Sequence, residues 1–138
     1  MIDFDAVTQA VHALIDAAVT VPVTVTTAPS TTPRPASYLV IELPPGAQRT
    51  GTLANPEDTA MFRCRVRAVA RSNQVDVARR EVQRTGHQAL VAVLNRATPL
   101  AGTGWAVTGR ELIGDSGIDV EGELANWVLD FELMVSPA

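Results

Sequence analysis

Two hydrophobic periods alternate along this chain. From Asp5 to Val19 the apolar residues Val7, Val11, Leu14, Ile15 and Ala18 recur every three or four positions, one stripe of a helix. Asp3 or Asp5 stands where its N-cap is wanted. His12 lies beside the stripe, a surface or boundary position with no partner at metal-ligand spacing. Val21 to Thr27 alternates Val with Pro or Thr; Pro22 has no N–H to give a central ladder, which predicts a short edge strand. A Pro/Thr loop over Ala28 to Ala36 leads to a strand over Ser37 to Leu43, closed by Pro44-Pro45-Gly46. Ala47 to Thr59 follows neither period. With the Pro-Pro-Gly before it, this stretch predicts a loop of sixteen residues, longer than compact domains keep without a use.

The second half of the chain is more regular. In Ala60 to Arg71, Phe62, Cys64, Val66 and Ala68 point one way while Arg63, Arg65 and Arg67 point the other, a strand with a core face and an arginine row. Ser72 or Asn73 then caps a long helix whose stripe is Val75, Ala78, Val82, Thr85, Ala89, Val93 and Leu94. Gly86, in mid-helix, costs about 1 kcal/mol relative to Ala and calls for a reason such as close approach to a sheet. Gly104 to Leu112 reads as a strand and Gly114 to Ala125 as an acidic turn region. The glycines of Gly102-Thr103-Gly104-Trp105 and of Gly114-Asp115-Ser116-Gly117 are those of turns. In Asn126 to Val135, Trp127, Leu129, Phe131, Leu133 and Val135 share one face, with Asp130 and Glu132 on the other. The order is α-β-β-β-α-β-β. A mostly antiparallel sheet of four to five strands with both helices on one face satisfies every stripe, an α+β fold in a single domain over residues 1–138. Its expected centre is Phe62, Val66, Val82, Leu90, Trp127, Leu129 and Phe131.

Composition narrows the function classes. A chain of 138 residues buries about two thirds of its unfolded surface, enough for a core without staples. Its 46% apolar content is mostly Ala and Val, with two Trp, one Tyr and three Phe, so the core is thin and gains from assembly. All eleven basic residues are Arg, which a GC-rich genome explains more simply than selection for bidentate pairing. A net charge of −4 and a pI of about 5.0 argue against a general nucleic-acid binder. Cys64, the single cysteine, reads as a core residue rather than a reactive thiol. The first ten residues lack the charged and apolar regions of a signal peptide, and no window is a transmembrane span, so a chain made and kept in a reducing cytoplasm is expected.

Three constellations could carry chemistry. The arginine row could face phosphate or nucleic acid, or could form a charge ladder with Asp130 and Glu132; the acidic net charge favours the ladder. Asp115, Asp119, Glu121 and Glu123 resemble a calcium loop only loosely, because Gly117 and Val120 stand where a third-position ligand and a sixth-position Gly are required. His12 and His87 fall on helices, and no nucleophile elbow, zinc-protease helix, Walker loop or dinucleotide fingerprint occurs. Neither a catalytic residue, a metal nor a cofactor is expected.

The order of these segments resembles the tail terminator (tail completion) proteins of long-tailed bacteriophages. The resemblance lies in the N-terminal helix, Tyr-Leu-Val-Ile at 38–41, the loop from Gly51 to Asp58, and Phe-Arg-Cys-Arg-Val-Arg from Phe62. It continues through the arginine-containing helix, Pro99 to Trp105 and the closing Trp-Val-Leu-Asp-Phe-Glu-Leu strand. It implies a non-enzymatic virion protein forming a homo-oligomeric ring, typically a hexamer. The ring caps the tail tube, stops growth of the tube protein and offers a surface to the head connector. It implies no membrane and no sequence-specific nucleic acid, with DNA passing through the lumen. The alternatives are another neck or head–tail joining protein and a small cytoplasmic ligand-binding α+β domain. For a ring subunit, the loop from Pro44 to Thr59 is the expected interface, with Arg49, Asn55, Glu57 and Asp58 as contact groups and Arg49 foremost.

Overall fold

A computed structural model describes residues 2–26, 36–43, 48–50 and 59–138, with the backbone alone for Thr26 and residues 48–50. Asp3 caps helix α1 (Phe4–Ala18), its carboxylate accepting from the amides of Asp5 and Ala6. The buried stripe is Val7, Thr8, Val11 and Ile15, while Leu14 is half-buried and Ala18 exposed. His12, half-buried, bonds through Nε2 to the Val23 carbonyl, joining the helix to the first strand.

Seven strands follow among the described residues: β1 (Val23–Thr26), β2 (Ser37–Glu42), β3 (Gln48–Thr50), β4 (Ala60–Arg71), β5 (Ala101–Gly102), β6 (Trp105–Glu121) and β7 (Leu124–Pro137). They form one mixed sheet in the order β1-β2-β4-β7-β6-β5. Strand β3 pairs with β4 over Ala60 to Phe62, along the same edge that β2 occupies farther on. Only β1 against β2 is parallel. β1 is an edge strand, consistent with Pro22 just before it. Helix α1 touches both β1 and β5, which stand at opposite ends of the strand order, so the sheet curls around it.

Both helices pack on one face of this α+β sheet, around a single core. Phe62, Val66, Val82, Leu129 and Phe131 are fully buried at its centre, and Trp127 and Leu90 are packed at its margin. Phe4 stacks on Phe62 with ring centroids 6.2 Å apart, pinning the start of α1 to β4. Gly86 is explained by close approach: a Cβ there would lie 2.3 Å from Cε3 of Trp127, so only Gly lets α2 settle on that indole.

Two short strands, β3 and β5, raise the count above four to five. The Pro44–Thr59 stretch contains β3, whose three residues carry no apolar alternation to announce it. The acidic stretch from Gly114 to Ala125 is not a turn; most of it extends β6, and the turn is confined to Gly122 and its neighbours. The N-cap position of helix α2 (Val75–Leu94) is Gln74, whose side chain makes no capping bond, and not Ser72 or Asn73. The Ser72 amide donates to the Glu123 carbonyl and its Oγ accepts from the Gln74 amide, so the chain stays extended before the helix starts. Val75, counted in the helical stripe, is consequently exposed.

Candidate functional site

On β4, period-two alternation puts Arg63, Arg65 and Arg67 on the face opposite the helices. Arg63 stands opposite Glu132, and its Nε donates to Oε2 at 2.9 Å. Arg65 stands opposite Asp130, and its Nε donates to Oδ1 at 2.8 Å. Arg67 has Val128 opposite it on β7 and turns instead to β2, donating to Glu42 Oε1 at 3.1 Å. Glu42 therefore completes the ladder; its signal in the sequence was the lone acid near the end of the strand that starts at Ser37. Three guanidiniums meet three carboxylates, which leaves this row without surplus charge for a phosphate. At this exposure each pair contributes about 0.2–1 kcal/mol, more to register than to stability. The face is not wholly polar: Val40 and Val69, which alternation places with the arginines, are buried.

Beneath the ladder, Cys64 is buried with its thiol pushed up to about 12 by desolvation and by the Asp130 charge. A thiol held protonated is a poor nucleophile, so Cys64 belongs to the core.

Strand β6 is where the acids lie, and three register shifts against β7 break its alternation, between Val107 and Gly109, Leu112 and Gly114, and Asp115 and Ile118. The last is a built bulge. Asp115 Oδ1 accepts from the Gly117 amide and from Trp127 Nε1 at 2.5 Å, Ser116 Oγ accepts from the Val128 amide, and Gly117 takes φ +69°. Those two donors, the indole first, hold the Asp115 carboxyl below the usual Asp range. Gly114-Asp115-Ser116-Gly117 is thus a mid-strand bulge and not a turn, whereas Gly104 does sit in the turn between β5 and β6. Asp115 engages the indole and Asp119 stands opposite Asn126, so the acids do not converge. Among the described residues no group of three or more His, Cys, Asp or Glu could hold a metal ion.

Arg110, at the start of β6, serves the fold. The last turn of α2 has no basic residue. Arg110 reaches across to donate to the carbonyls of Val93, Asn95 and Thr98, closing the helix C-terminus from the sheet. Sequence reasoning missed this, because the partners are carbonyls that no side-chain pattern marks.

The expected loop interface is only partly placed. Arg49 falls in β3, in register with Met61 of β4. Asn55, Glu57 and Asp58 lie outside the described residues. Two surface grooves lie along α2. One, of about 540 Å³, runs between α1 and α2 and is lined by Leu14, Ala17, Ala18, His87, Gln88, Val91, Ala92, Asn95 and Thr98. The other, of about 520 Å³, is lined by Arg80, Gln83, Arg84 and His87. Among the described residues no helix is long and apolar enough to cross a membrane.

No known family model matches the chain, and no curated protein matches it in sequence. Solved structures do match in fold. A chain of the virion of a native gene transfer agent particle superposes with a TM-score of 0.56 at 16% identity, over 97% of this chain and 93% of that one. A second solved structure superposes with a TM-score of 0.59 at 17% identity, over 99% and 97%. At such identities the likeness is one of fold, and it runs nearly end to end in both.

Proposed function

We propose that this chain is a structural protein of a phage-like particle and, within that class, a tail terminator. The observation that carries the reading is the fold shared end to end with a chain of a gene transfer agent virion. The order of sequence segments described above supports the narrower role. In that role copies of the chain form a ring, six in the resembled family, at the end of the tail tube. The ring stops further addition of tube protein and presents its far surface to the head connector, with DNA passing through the lumen. The work is mechanical and requires neither a bound cofactor nor a catalytic group. It is done in the virion, at the neck, after synthesis in the host cytoplasm. A ladder of matched charges suits it, because a rigid sheet with fixed register keeps subunit surfaces in place.

The test is to delete the gene from the element that encodes it and measure tails by electron microscopy. The reading expects overlong or irregular tails, unjoined heads, and rescue by the wild-type gene supplied in trans. Tails of normal length on unjoined heads would point to another neck protein; normal particles would overturn the proposal altogether.

A further inference from the structure

The outward stripe of α2, through Arg80, Arg84, His87 and Val91, changes character along its length. Its first half borders the basic groove, its second half the apolar groove against α1, and His87 lines both. Val91 in the apolar half is 51% exposed. Gln88, in the wall of that half, has a buried Oε1 with no hydrogen-bond partner. The track therefore suits carboxylates at one end, an apolar side chain at the other, and an N–H donor between them.

The free edge of β6 has all three. Beyond Val107, whose amide donates to the Leu100 carbonyl, β6 is paired with β7 on one side and with no strand among the described residues on the other, so alternate backbone amides point outward. Ile113, in the bulge between Leu112 and Gly114, is 44% exposed. Asp119, Glu121 and Glu123 enter none of the ion pairs among the described residues, and neither do Arg79 and Arg80. The spans agree. Arg80 to Val91 is about 16 Å along a helix; Asp119 to Ile113 is about 20 Å along a strand, less what the intervening bulge takes up. One copy cannot join them, because α2 sits on the sheet through Ala78, Val82 and Ala89 and turns this stripe away from it.

We propose that the β6 edge of one copy docks along α2 of a second copy. Asp119, Glu121 and Glu123 meet Arg79 and Arg80, while Ile113 enters the groove beside Val91. The inference rests on the assembly reading above and names the contact between subunits. Two different patches of one chain make a heterologous contact, which propagates head to tail and closes into a ring where the rotation allows. Opposite charges at one end set its direction and make it salt-dependent.

The test is a reciprocal charge swap, read by native mass over a range of concentration and salt. Arg79→Glu with Arg80→Glu gives a copy acidic on both patches; Glu121→Arg with Glu123→Arg gives one basic on both. Each alone is expected to self-associate on the order of tenfold more weakly than wild type, or not at all. An equimolar mixture is expected to regain wild-type assembly, with the two kinds of copy alternating. A swap that assembles like wild type, a mixture no better than its components, or a wild type that never self-associates overturns the proposal. Should a swapped chain fail to fold, Arg80→Cys mixed with Glu121→Cys and a short bis-maleimide decides the matter, since the native Cys64 is buried. A covalent dimer appearing only in the mixture supports the contact; its absence overturns it. The terminator reading is judged separately by tail length: a ring built through other surfaces, or a monomer that still caps tubes, sinks this contact and leaves that reading intact.

Discussion

Strand β7 has a different neighbour on each side. Against β4 it runs without interruption from Ala60–Val135 to Arg71–Leu124, with the core residues on one face and the matched charges on the other. Against β6 it slips register three times, with Gly117 at positive φ and Asp115 and Ser116 tying the last slip in place. The first pair is the centre of the core. The second forms the outer part of the sheet, where bulges turn side chains in directions a regular strand cannot. Regular alternation builds the buried centre of this sheet, and broken alternation its more exposed outer part.

The contrast can be broken first at one rung. Phe131 lies between Cys64 of β4 and Leu112 of β6. Phe131→Ala is expected to cost about 3–5 kcal/mol. Leu112→Ala, on the half-buried β6 side, is expected to cost well under half of that, since less apolar area is removed. Denaturant unfolding of the two variants measures the gap; equal losses would erase the distinction between centre and edge.

A smaller effect is expected at Gly86. Alanine normally favours a helix interior, yet here its Cβ meets Trp127, so Gly86→Ala is expected to destabilise by about 1–3 kcal/mol. With Trp127→Ala already present the sign should reverse, with a gain of up to about 1 kcal/mol. A double-mutant cycle in thermal unfolding reads both arms, and a coupling near zero would remove the contact from the account.

Smaller still is the ladder. Glu132→Ala is expected to cost about 0.2–1 kcal/mol, and less in high salt. A loss of several kcal/mol would mean that the ladder holds the sheet together and does not merely set its register.

The least effect concerns the bulge and pH. The Asp115 carboxyl is held below its unfolded value, so its contribution is complete above about pH 4 and fades as the pH falls through the lower folded value. Asp115→Asn should therefore lower the neutral end of Tm against pH slightly and flatten the acid limb, the two proteins converging at the most acid pH. An unchanged acid limb would assign that slope to other carboxylates.

What the sequence made legible follows the same division. The faces of β4 and β7, the stripe of α1 and the need for Gly86 could all be read, because each is a local period or a local cost. Strand β6 could be read only as far as Leu112, since the two bulges that follow reset the alternation and Asp115-Ser116-Gly117 has the chemistry of a turn. Arg110 was opaque because its partners are carbonyls of a distant helix end. Glu42 was passed over as the ladder's third acid because β2 and β7 flank β4 on opposite sides, a topological fact that no single strand pattern contains. Of the expected interface loop, only the backbone of β3 is placed.

The central claim, that this chain ends the growth of a tail tube, is tested most directly by the length distribution of tubes assembled in vitro. Purified tube protein would be allowed to polymerise with increasing amounts of the chain, and tube lengths measured by electron microscopy. The account expects lengths to shorten with dose until growth stops, with the chain found at one tube end. Tubes that lengthen at the same rate with and without it, or a chain bound along their sides, would contradict the account.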